Sequence, residues 1–105
     1  MTIEYTVTAE FDSLQRASEW VAWLRHGHLQ AVIDGGALRA RLVRHEPVDG
    51  VSRFSARYEF ADMAAFSAYE RGAAVALRAE GAAKFPPQAG MRMQRSLSEV
   101  LTTLG

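Results

Sequence analysis

Between positions 2 and 11 polar and apolar residues alternate without interruption, Ile3, Tyr5, Val7, Ala9 and Phe11 against Thr2, Glu4, Thr6, Thr8 and Glu10. A period of two sends the two sets to opposite faces of a strand, so one face rests on a core and the other does not. Asp12 then precedes Gln15 by three residues, the spacing of a capping box. Leu14, Ala17, Val21 and Leu24 recur at helical intervals, with Trp20 widening the stripe. The pattern predicts a helix from about residue 12, a break near Gly27, a short helical piece over 28–33 and an end at Gly35 and Gly36.

Alternation resumes with Leu38, Ala40 and Leu42 against Arg39, Arg41 and Val43, a second strand running to about His45. Residues 46–50, with Pro47 and the Asp49–Gly50 pair, carry the chemistry of a hairpin loop. Phe54, Tyr58 and Phe60 then share a face opposite Arg53, Arg57 and Glu59, which predicts a third strand paired antiparallel with the second. Asp62 suits the N-cap of a long helix bearing Met63, Phe66, Tyr69, Ala73, Ala76 and Leu77 on one side, ended near Lys84 by Pro86 and Pro87. A last strand over 91–101 is less cleanly patterned, since Met93, Leu97 and Leu101 share their parity with Arg95 and Glu99.

Strand, helix, strand, strand, helix, strand is the order of a ferredoxin-like α+β domain. Right-handed crossovers put both helices on one face of a four-stranded antiparallel sheet of order 4-1-3-2. The helices should cover Ile3, Tyr5, Leu38, Phe54 and Phe60 and leave Glu4, Thr6, Thr8, Arg39, Arg41, Arg53 and Arg57 on the open face. The 105 residues suffice for one such domain, because a single core commonly organises about 100 to 150. No repeat, linker or boundary divides them.

Composition narrows the chemistry. With no cysteine, thiol catalysis, Cys-based zinc sites and iron–sulfur clusters are all excluded. The opening MTIEYTVTAEF lacks a charged segment followed by an apolar run, and no apolar stretch approaches a membrane span, so a cytoplasmic protein is expected. Twelve basic against twelve acidic side chains disfavour a general polyanion binder. RNA recognition shares this element order, but it needs stacking aromatics on the open face; in VSRFSARYEF the aromatics share the core face. The histidines and carboxylates show no metal-ligand spacing, and no phosphate loop or nucleophile elbow is present, so neither a metal nor a cofactor is expected.

Two features remain. His28 falls beside a helix break, where an imidazole of near-neutral pKa can cap carbonyls, sit at the surface or face a pocket. Seven of the eleven arginines fall on the second, third and fourth strands. Gathered on one face they would suit a carboxylate or phosphate, or they would simply pair with Glu4, Glu59 and Glu99. Trp20 and Trp23 fit helix-to-sheet packing, with one free to reach a cavity wall or a dimer seam.

The segments IEYTVTAEFD, WVAWLRHGHLQAVIDGGAL, ARYEFADMAAFSAYE, ALRAEGAAKF and RSLSEV together resemble the small bacterial proteins grouped as domain of unknown function 4286. That family is similar to the dimeric α/β-barrel superfamily, in which two ferredoxin-like sheets pack face to face around a cavity. By position, His28 matches the family's histidine after the Trp-containing helix, and Tyr5, Tyr58 and Arg95 match its strand tyrosines and C-terminal arginine. Where many relatives carry a second histidine, this chain has Ala73, before Ala74 and Leu77–Arg78. A two-histidine scheme is thereby put in doubt.

The resemblance implies a homodimer, which the open sheet face with Val43 and Val51 among its charges also favours. The expected function is binding of a small anionic or aromatic metabolite on the open sheet face, with or without cofactor-independent chemistry. Its polar lining would draw on His28 as the catalytic group and on Arg41, Arg57 and Arg95, with Tyr5 or Tyr58 where a hydroxyl reaches. The alternative is a non-enzymatic oligomerisation or interaction module whose polar sheet only joins copies.

Overall fold

The computed structural model describes every residue except Ala89. Two nine-residue strands, β1 (Ile3–Phe11) and β3 (Ser52–Phe60), form the centre of the sheet. They run antiparallel with Tyr5 opposite Tyr58 and Thr8 opposite Ser55. β2 (Arg39–Arg44) pairs with the outer edge of β3, and β4 (Met91–Glu99) with the outer edge of β1. The order β2-β3-β1-β4, antiparallel throughout, is the predicted ferredoxin-like topology.

Alternation decides which face is buried. Ile3, Tyr5, Ala9, Phe11, Phe54, Ala56, Tyr58 and Phe60 all lie in one core with Trp20, Leu24, Phe66 and Tyr69 from the helices. Aromatic rings knit the layers together: Phe11 lies 5.8 Å from Trp20, and Phe60 5.2 Å from both Phe66 and Tyr69. Buried aromatics of this kind supply much of a small domain's apolar stabilisation.

The helices depart from the sequence reading in informative ways. The cap of α1 (Leu14–Trp23) is Ser13, whose hydroxyl accepts from the Arg16 backbone N–H; the Asp12 carboxylate instead takes Arg92 of β4 at 3.0 Å. A single π turn, Leu24–His28, joins α1 to α2 (Leu29–Asp34), and Gly27 within it leaves helical geometry. Asp62 caps α3 (Met63–Arg71) as predicted, its carboxylate accepting from the Ala65 N–H at 2.8 Å. The single long helix does not form: Gly72 breaks it, and α4 (Ala73–Lys84) starts afresh. The break advances the helical phase, so Ala74, not Ala73, is the buried residue after Tyr69.

Leu38 is 61% exposed rather than core, because it precedes the edge strand β2 and lies beyond the helical cover. Leu14, expected on the inward stripe of α1, is exposed at the helix's first position. The loop before β3 is tightened by Asp49 and Gly50, both at positive φ, between bridged Val48 and Val51. Two successive positive-φ residues make a type I′ turn, whose twist matches that of paired strands.

β4 is exposed along nearly its whole length, and its register settles its facing. Arg95 lies opposite Val7, so Met93, Arg95 and Leu97 share the helix side of the sheet. The expectation that Arg95 joins Arg41 and Arg57 on the open face is therefore corrected; the mixed parity of β4 had hidden its direction. No described helix is long and apolar enough to cross a membrane.

Candidate functional site

The π turn builds one wall of the site. Its wide turn carries Leu24 and His28 inward, four residues apart, while Arg25 and His26 remain exposed outside. Beneath it, between helices and sheet, lies a cavity of about 380 Å³. Tyr5, Val7, Ala56 and Tyr58 line it from the central strands, Met93 and Arg95 from β4, and Trp23, Leu77, Arg78 and Gly81 from the helices. The volume falls in the range of small-molecule pockets, and the lining has their usual makeup of apolar walls with a few polar groups.

His28 stacks on Trp23 with ring centroids 4.0 Å apart. Its Nδ1 is buried with no hydrogen-bond partner among the described residues. Burial pushes the imidazole pKa below its ordinary value, and the nearby Glu80 carboxylate offsets this only in part. Glu80 also accepts from the Trp23 indole N–H at 3.1 Å, fixing the ring on which His28 stacks. The result is an imidazole kept neutral at pH 7, able to take up a proton.

Opposite stand the tyrosines. The Arg95 guanidinium donates from Nε to the Tyr5 hydroxyl at 3.0 Å. Arg78, bonded to Glu70, also lies near that hydroxyl, which helps hold the guanidinium charged. Tyr58 is pushed well above the usual phenol range by burial and by the neighbouring Tyr69 and Tyr5, and burial likewise takes Tyr69 up to about 12. Both stay protonated and can donate. Arg95 has no carboxylate partner among the described residues, so its charge is available to an anion.

The structure thus divides the residues expected to share one lining. His28, Tyr5, Tyr58 and Arg95 line the cavity on the helix side. Arg41 and Arg57 face each other across β2 and β3 on the open side, where Arg41 approaches Glu4 at 3.7 Å. Arg39 pairs with Glu59 on the same face at 2.6 Å, as the alternative reading of that surface had it. Tyr69 and Arg78 escaped notice as site residues. Tyr69 kept the spacing of a core position, and its hydroxyl, where a phenylalanine would have packed, was the one available signal.

Among the described residues no three histidine or acidic side chains converge as metal ligands. The family of domain of unknown function DUF4286 matches residues 1–100, and the chain belongs to it. No curated protein matches the chain. A dimeric ferredoxin-like protein from an uncultured marine organism superposes with a TM-score of 0.67 at 19% identity, over 98% of each chain. SnoaB, a cofactor-independent oxygenase from Streptomyces nogalater, superposes at 0.63 and 18% identity, over 98% of this chain and 96% of its own. The heme-degrader MhuD from Mycobacterium tuberculosis, with two hemes bound in its active site, superposes at 0.63 and 21% identity, over 97% and 99%. At these identities the likeness is one of fold.

Proposed function

We propose that the protein binds a small, flat, anionic or weakly acidic metabolite in the cavity between sheet and helices. The observation that carries this reading is the placement, in one apolar cavity, of an imidazole whose Nδ1 is buried and unpartnered together with a guanidinium that lacks a carboxylate partner among the described residues. Trp23, Leu77 and Met93 offer apolar surface to a ring, while Arg95 and the Tyr58 and Tyr69 hydroxyls offer donors to an oxygen anion.

The same arrangement suits proton transfer. A ligand O–H or acidic C–H placed beside His28 would lose its proton to the imidazole, and the anion left behind would be stabilised by Arg95. Such a step draws only on side chains of this chain, and the fold shared with a cofactor-independent oxygenase is consistent with it. The cavity, not the open sheet face, is the ligand site in this reading; Arg41 and Arg57 lie outside it.

The open face is assigned to a second copy. Rows such as Arg41–Arg57–Thr6–Ser96 and Val43–Ser55–Thr8–Gln94 run across it with no helix above them. A face of mixed charge with few apolar groups can cover itself across a two-fold axis, and the marine neighbour is a dimeric protein of the same fold.

Native mass spectrometry of the purified chain tests the ligand. The expected result is a small-molecule adduct on the wild type that is lost or weakened in Arg95→Gln and in His28→Gln, with both variants folded. A chain that stays ligand-free, and that binds no aromatic acid or phenol offered to it, would favour the interaction-module reading instead.

A further inference from the structure

A chain of hydrogen bonds crosses the open sheet face. Pairing continues one residue past β2, where the His45 backbone N–H donates to the Arg53 carbonyl at 2.9 Å, so His45 follows Arg39, Arg41 and Val43 on that face. Its Nε2 lies 2.7 Å from the Ser55 hydroxyl, which in turn lies 2.7 Å from the hydroxyl of Thr8, its partner on β1. Ser55 is buried although no helix covers this face, its hydroxyl enclosed by these two bonds. A hydroxyl has one proton to donate. When the imidazole is neutral, Nε2 can accept from Ser55, which then accepts from Thr8; an imidazolium must donate, and the chain reverses. In both states the bond ties the ring to β3, so a proton taken up by His45 sets its charge at a fixed place on the face.

That place is already positive. On the open face Arg39 pairs with Glu59, Arg41 approaches Glu4, and Arg92 takes Glu10 together with Asp12. Arg53 and Arg57 stand on either side of Ser55 along β3, and neither has a carboxylate within pairing distance among the described residues. Glu10, opposite Arg53 in register, turns to Arg92 instead. In the hairpin loop Glu46 and Asp49 are exposed and pair with no cation among the described residues. Arg44, over the Phe54 ring, and Arg25 and His26 of the π turn belong to the other side of the sheet. Burial first, then Arg53 and Arg57, push the His45 pKa below its ordinary value.

We propose that His45 makes self-association of the open face depend on pH: two copies join while the imidazole is neutral and separate as it takes up a proton. This rests on the reading of that face as the surface that meets a second copy. A two-fold contact presents every group twice, so the two unmatched arginines of each chain become four, and protonation adds an imidazolium from each copy. Taking such charges out of water without partners opposes association. The assembled form therefore binds fewer protons than the separate chains, and association strengthens as pH rises through the His45 pKa and weakens as pH falls through it. His45 is the one histidine on this face, and the carboxylates there ordinarily titrate at lower pH.

Sedimentation equilibrium of the full chain over a concentration series, at pH values of about 7.5 and 5, tests this. The dimer dissociation constant should rise by about tenfold or more at the lower pH. His45→Gln, neutral throughout, should lose most of that rise, whereas His28→Gln, in the cavity, should keep it. His45→Lys, charged throughout, should associate at the higher pH as weakly as the wild type does at the lower. If the variants do not fold, the imidazole of the wild type gives the same answer by NMR: its pKa should fall as protein concentration is raised, because the dimer disfavours the proton. A dimer equally strong at both pH values would overturn the proposal and leave the two-copy reading standing, whereas a chain that is monomeric at both would overturn the two together. A rise that persists in His45→Gln, or a His45 pKa independent of concentration, would also overturn it.

Discussion

His28 is the residue at which sequence, fold and chemistry meet. Its position beside a helix break marked it, but the break alone favoured a capping or surface location over a pocket. The π turn decides among them by carrying it under Trp23. The burial that lowers its pKa has a consequence for stability. Between its folded pKa and the exposed value of about 6.5, the unfolded chain holds more protons, so stability rises with pH across that window and is lost as pH falls through it. His45 is shifted in the same direction and adds to the effect. Urea unfolding between pH values of about 7 and 5 should therefore show a decline that is shallower in His28→Gln and shallower still when His45→Gln is added. Tyr5 and Tyr58 were placed on the helix side by strict alternation, whereas Arg95 was not, because the apolar residues of β4 share its parity and no helix covers that strand.

Among the elements, the strands were the most legible and the helices the least. Period-two alternation in β1 and β3 fixes a buried face almost unaided, and Asp49–Gly50 states its turn chemistry outright. Gly50 at φ 76° is a position where a Cβ is strained, so Gly50→Ala should cost about 1 to 2 kcal/mol in chemical denaturation, even though open space surrounds it. Helical spacing, by contrast, survives a phase change without notice. Residues 63–84 read as one stripe, yet Gly72 divides them and puts Ala74 inward and Arg78 at the cavity. The stops at Gly35 and Lys84 held, and of the two start signals Asp62 held while the Asp12 cap passed to Ser13: Asp62→Ala, which removes the α3 cap, should lower stability by roughly 1 kcal/mol. Gly35 permits a close approach of α2 to α4, since a Cβ there would stand 2.8 Å from the Ala73 Cβ, and Gly35→Ala should lower the melting temperature by pushing the two helices apart.

At the scale of the whole molecule, the two faces of the sheet divide the work. Element order alone gave the ferredoxin-like topology, because few arrangements satisfy right-handed crossovers with short connections. It could not give the depth of the space between sheet and helices, which depends on how far the π turn and α4 stand from β1 and β4. The open face is expected to join two copies: light scattering should give twice the 11.6 kDa chain mass at micromolar concentration, and Val43→Arg, on its β2 edge, should shift the population toward monomer. The cavity remains the central claim, and titration of the labelled protein with a panel of aromatic carboxylates and phenols tests it most directly, with the side-chain resonances of His28, Trp23 and Arg95 as readout. At least one compound should shift all three together and saturably, and Arg95→Gln should weaken that compound by about tenfold or more. A folded protein in which no compound moves those three resonances would contradict it.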